Sequence, residues 1–193
     1  MESALDRLKS IPWAATLIND PKWTPATTAS RFPKPSGEDS FFAETLATER
    51  TIRALLTLRP VKEEEGDQAY TEIVEMIDLG DGLNGFPQIA HGGFVATMLD
   101  EVCGVLIVLN VEKKIERLRN LGRLDPSVSM NYFTAYLNTT YKRPVPTPGV
   151  VLCTAKIERQ NGRKLYVRAT VEDGAGTVYT TGEAMFVQAN TKL

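Results

Sequence analysis

A chain of 193 residues with 42% hydrophobic and 24% charged content is long enough to bury one well-packed core. A formal net charge of -2 and an isoelectric point near 5.6 leave no basic excess, which argues against nucleic-acid partners and a polybasic membrane surface. The two cysteines, Cys103 and Cys153, stand among apolar neighbours with no CxxC pair and no histidine-rich company, so they read as buried free thiols in a reducing compartment.

Residues 1–37 are expected to form an irregular N-terminal arm ahead of a folded domain over 38–193, because the stretch 20–37 carries four prolines among Ser, Thr and Gly. The first residues, MESALDRLKSIPW, have neither the apolar core of a signal peptide nor the acid-poor character of a transit peptide. No run of eighteen apolar residues occurs, so the expectation is a cytoplasmic protein without a membrane span. The terminal Thr-Lys-Leu has the small-basic-Leu shape of a peroxisomal address, which is the alternative.

Residues 38–47 suggest a short helix, and 51–60 and 69–79 alternate as strands, joined by an acidic run, KEEEGD, expected to be a solvated loop. A Gly-rich loop over 80–90 leads into GGFVATMLDEVCGVLIVLN, apolar on nearly every side and therefore a buried helix. The charged segment 111–122 has Val111, Ile115 and Leu118 at helical spacing and ends at Gly122, so it is a surface helix or an extension of the buried one. Four strands in meander order are expected beyond it, over 133–143, 149–159, 164–172 and 177–188, with Asn-Gly and Asp-Gly turn chemistry between the last three. About six antiparallel strands wrapping one long helix make an α+β fold.

Chemistry concentrates in QIAHGGFVATMLDEVCG, residues 88–104. Gly92 and Gly93 at a loop-to-helix junction leave backbone N–H groups at the positive end of the helix dipole, fit to polarise a carbonyl, or else merely permit a sharp entry turn. Asp100, on a stripe with Ala96, Thr97, Cys103 and Gly104, is a carboxylate on a buried helix, which requires a polar partner or a functional site. Glu101 faces Met98 and Val105 instead. Gly92 and Asp100 are separated by about 12 Å of helix rise, so a second subunit packed antiparallel is expected to bring Asp100 to the glycines of its partner. His91 is the only histidine, which rules out multi-histidine metal sites and a serine triad with a spare histidine. G-x-S-x-G, GxGxxG and P-loop patterns are absent.

The order strand, loop, HGG helix with Asp100 nine residues after His91, and then strands resembles the hotdog-fold acyl-CoA thioesterase superfamily. The likeness covers about 70–188 and is sharpest in AHGGFVATMLDE, LNTTYKRPVP and NGRKLYV, where it leans toward mammalian superfamily members four and five. It implies a double-hotdog homodimer, with a tetramer as the larger assembly, that hydrolyses acyl-CoA without a cofactor, coenzyme A being part of the substrate. Asp100 matches the catalytic carboxylate, Gly92 the backbone donor to the thioester oxygen, His91 the motif histidine and Asn84 the upstream asparagine. Counting back from Tyr141 puts Thr134 at the residue that orients water. Gly93 is expected beside the substrate, and Glu101, a departure from the family pattern, is expected to join it only where the pocket reaches its face of the helix; Lys142, Arg143, Arg163 and Lys164 are the expected contacts for coenzyme A phosphates. Two rival readings keep the fold: a thioesterase for acyl groups on an acyl carrier protein, and an acyl-CoA binder without catalysis.

Overall fold

The computed structural model describes residues 4–123 and 131–189. The terminal Thr-Lys-Leu and part of the segment after the central helix lie outside them. Two short helices open the chain, α1 (Ala4–Lys9) and α2 (Pro12–Asn19), followed by strands β1 (Trp23–Ala26), β2 (Ile52–Pro60) and β3 (Glu72–Leu79). A small hairpin, β4 (Asn84–Phe86) and β5 (Ile89–Ala90), leads to the central helix α3 (Gly92–Asn120). Four longer strands follow: β6 (Tyr132–Tyr141), β7 (Gly149–Asn161), β8 (Lys164–Glu172) and β9 (Val178–Gln188).

Seven of the strands form one sheet in the order β1-β2-β3-β7-β8-β9-β6, antiparallel at every junction. The last four strands are therefore not a simple meander. Strand β7 crosses to pair with β3, and β6 returns to the outer edge beside β9. Hydrophobic alternation sets which residues face inward but says nothing about which strand lies next to which. The sheet curves around α3, whose Val95, Met98, Leu99, Val102, Cys103 and Leu106 are buried against Ile73, Ile77, Val151 and Val167 of its concave face. By length and composition α3 could cross a membrane, yet here it is the core helix of the sheet.

The N-terminal segment is not an irregular arm. Pro12 sits in the first turn of α2, where its missing N–H costs nothing, and β1 pairs with β2 as the other edge of the sheet. The two helices cover the convex face, where Leu8 and Ala14 pack with Ala54, Leu58, Val74 and Met76. Both faces of β3 are thereby covered, which accounts for its unbroken burial from Ile73 to Leu79, Glu75 and Asp78 included. Residues Phe41–Thr45 form a single π-helical turn rather than an α-helix.

Segment 111–120 continues α3. The helix ends where Gly122, at φ +65°, lets its N–H reach Arg119 O while Arg123 N–H reaches Leu118 O. The acidic loop is not merely solvated: Glu63 accepts from Lys113 (2.8 Å) and Arg117 (3.1 Å), and Asp67 lies 3.4 Å from Lys114. Buried Asn110 fixes the same corner, its side chain bonded to both N–H and C=O of Tyr70 (each 2.9 Å).

Candidate active site

The site is built where α3 begins. His91 is its N-cap, and Nδ1 accepts the Gly93 N–H at 3.0 Å, which places the ring proton on Nε2. The Gly92 N–H, at the first helical position, has no acceptor within the helix and points outward at the positive end of the dipole. Gly92 O accepts from the Tyr141 hydroxyl at 2.8 Å, a bond that pins the helix start to β6. Nothing in the sequence around Tyr141 announces this partner.

The short hairpin presses the loop against this entry. A Cβ on Gly85 would lie 2.9 Å from His91 Cα, so only glycine lets β4 pass there. Asn84 pairs opposite Ala90 and accepts a hydrogen bond from the Thr147 hydroxyl. It thus stands one residue from His91 across the hairpin, held by the loop after β6.

Two turns along the helix, Asp100 is half-buried, and its Oδ1 accepts from the Thr134 hydroxyl of β6 at 2.9 Å. Thr134 and Asp100 are 34 positions apart in sequence, and the structure brings them into contact. Cys103 and Cys153 are fully buried free thiols, and burial pushes both well above the usual thiol range.

The basic residues separate into two groups. Lys142 and Arg143 both bond Tyr179 O through their backbone N–H groups and line a cavity of about 390 Å³ with Gly92, Val95 and Tyr141. Arg163 and Lys164 lie at the opposite end of β9, where Arg163 donates to Gln188 O (3.0 Å) and Lys164 pairs opposite Val187. About 26 Å of strand lies between these ends, so one chain does not bring all four to Gly92.

Glu101 points away from Gly92 toward a larger cavity of about 740 Å³. It accepts a hydrogen bond from Ser30, 71 positions away. Desolvation, partly offset by the Ser30 bond, raises its pKa to about 7. On β3 beneath it, Glu75 is fully buried and raised to about 8, first by desolvation and then by the charge of Glu101; the Thr57 hydroxyl donates to it at 2.8 Å. No local signal in the sequence points to Ser30 or Glu75 as neighbours of Glu101.

One long helix wrapped by a single antiparallel sheet, with a glycine-led entry and a carboxylate two turns in, defines a hotdog-fold protein. Residues 87–180 match the family model described as thioesterase superfamily. Among its relatives, acyl-coenzyme A thioesterase THEM4 of Mus musculus is 31% identical over 116 residues, 60% of this chain and 42% of that protein. Verlamelin biosynthesis protein B of a Lecanicillium species is 31% identical over 122 residues, 56% of this chain and 52% of that protein. The matched region thus spans about half the length of these relatives. Among solved structures, zebra fish thioesterase superfamily member 2 superposes with a TM-score of 0.53 at 16% identity, covering 83% of this chain and 90% of that one. A phenylacetic acid degradation-related protein of Ralstonia eutropha gives 0.51 at 19% identity, covering 83% and 95%. These two likenesses speak to the fold.

Proposed function

We propose that the chain is an acyl-CoA thioesterase that works as a homodimer. The observation that carries this reading is the Thr134–Asp100 hydrogen bond beside a helix start whose Gly92 N–H faces outward. The Gly92 N–H donates to the thioester carbonyl oxygen and stabilises the oxyanion as it forms. Asp100, oriented by Thr134, takes a proton from water as its oxygen bonds the carbonyl carbon. Collapse of the tetrahedral intermediate breaks the C–S bond, releasing the free acid and coenzyme A as a thiolate, which the proton on Asp100 then neutralises. No cofactor is invoked.

Because Gly92 and Asp100 lie about 12 Å apart along one helix, the reacting pair comes from two subunits. Supporting this, β6 is an edge strand of ten residues with Phe133, Tyr136 and Tyr141 exposed by 49%, 40% and 53%. Two-fold pairing along β6 also carries Arg163 and Lys164 of one subunit toward the Gly92 end of the other, where they join Lys142 and Arg143 at the coenzyme A phosphates. The direct test is hydrolysis of acyl-CoA by the purified chain and its loss in Asp100→Asn with fold and dimer intact; an unimpaired variant overturns the mechanism. The likeness to a biosynthesis protein favours, as a second reading, an acyl group presented on an acyl carrier protein. Matched acyl-CoA and acyl-carrier substrates separate the two.

A further inference from the structure

The cavity of about 740 Å³ starts one residue beyond each member of the Asp100–Thr134 pair, at Glu101 and Phe133, and runs along α3 past Gly104 and Val108. One wall is apolar. The other is supplied by the N-terminal segment, where Ser30 bonds Glu101 and where Lys34, held 2.5 Å from Asp39 and 3.3 Å from Glu38, forms a polar rim. Ser30 engages Oε1 of Glu101, whose carboxyl lines the cavity.

We propose that this cavity receives the acyl chain and that Glu101, set by Ser30, selects chains bearing a hydroxyl group. The proposal rests on the thioesterase reading above and names its substrate class. A plain hydrocarbon chain needs only an apolar wall, and a leucine at 101 would serve it better. A carboxyl set beside the buried Glu75, and among Asp39 and Asp100, is only partly answered by the Ser30 hydroxyl and the charge of Arg31, and a polar group on a ligand would answer it further. A hydroxyl is the group that answers it in both protonation states, because it donates to the carboxylate and accepts from the acid. A keto oxygen would meet only the acid. With Glu101 raised to about 7, both forms are present near neutrality. A site built to bond a substrate hydroxyl discriminates against the chain lacking it, since its own polar group is then left without a partner.

The test compares kcat/KM for acyl-CoAs of one chain length, unsubstituted or carrying a hydroxyl at successive positions, in the wild type, Glu101→Gln and Glu101→Leu. At least about a tenfold preference for one hydroxylated position is expected in the wild type, retained in good part by Glu101→Gln and collapsed by Glu101→Leu. Equal rates for all chains in the wild type, or an unchanged ratio in a folded Glu101→Leu, overturn the proposal. Equilibrium binding of the matching free hydroxylated and plain acids to the wild type runs alongside. If no thioester is cleaved but the hydroxylated acid binds more tightly, the thioesterase reading fails while the pocket assignment stands; equal binding removes the pocket assignment as well.

Discussion

The Thr134 hydroxyl on β6 donates to the Asp100 carboxylate on α3 at 2.9 Å, tying the orientation of the carboxylate to the edge strand of the sheet. Thr134→Ala is expected to lower kcat about 10- to 100-fold with little change in KM, a smaller loss than Asp100→Asn, because the base remains but its aim is lost. Steady-state kinetics on one acyl-CoA check both. A single turnover in 18O-water reports the role of Asp100: label entering the Asp100 side chain marks a covalent anhydride opened at the Asp100 carboxyl carbon.

A site shared across two subunits has a counting signature. Asp100→Asn and Gly92→Val chains are each expected to be inactive alone. Unfolded together and refolded in equal amounts, they form heterodimers with one intact site, restoring about a quarter of wild-type activity. No recovery on mixing would place both groups in one subunit.

The edge strand makes a related claim about assembly. Tyr136→Lys puts a charge on the exposed face of β6, and it is expected to shift the chain toward monomer in analytical ultracentrifugation and to lower hydrolysis in proportion. A monomer with full activity would contradict the shared site.

Glu75 and Glu101 make stability depend on pH in an unusual direction. Both have folded-state values above the ordinary carboxylate range, about 8 and about 7. Between about pH 4.5 and 8 the folded chain binds more protons than the unfolded one, so their contribution is present at mildly acidic pH and lost as pH rises through that window. Urea midpoints are expected to fall between pH 5 and 8. In Glu75→Gln, which keeps the acceptor for Thr57, the decline is expected to be shallower, with a gain on the order of 1–3 kcal/mol at pH 8.

The thiols provide a fifth check. Cys103 and Cys153 are completely buried, and burial disfavours their thiolates, so alkylating reagents at pH 8 should leave the native protein unmodified over hours and label both residues once it is denatured. Rapid native labelling would mean that the core around α3 opens.

The central helix and its neighbours are legible in the sequence because they obey simple periods: β2 and β3 alternate, α3 is apolar all round, and Gly122 marks its end. Thr134 is reached by counting back from Tyr141 in the stretch that carries the resemblance, while the irregularity in β6 between Thr134 and Tyr136 is visible only in the structure. Strand order is not legible in this way, since β6 and β7 carry similar alternation and only the packed sheet decides that β7 joins β3. The prolines around β1 read as punctuation, yet Pro25 sits on a sheet edge, where a missing N–H does no harm. Glu101 acquired a meaning only with Ser30, a contact between side chains 71 positions apart. The charged end of α3 and the acidic loop were each visible, but their attraction depends on the fold bringing them face to face.

The N-terminal 40 residues touch both sides of the sheet, with α1 and α2 on the convex face and Ser30 at the cavity. None of these residues falls within the 87–180 stretch shared with the family model, whereas Gly92, Asp100 and Thr134 all do. On the proposed function, the bond-breaking groups and one of the two walls of the cavity are encoded in separate stretches of the chain, so mutations in the first forty positions are expected to retune which molecules are accepted while the bond-breaking groups stay as they are.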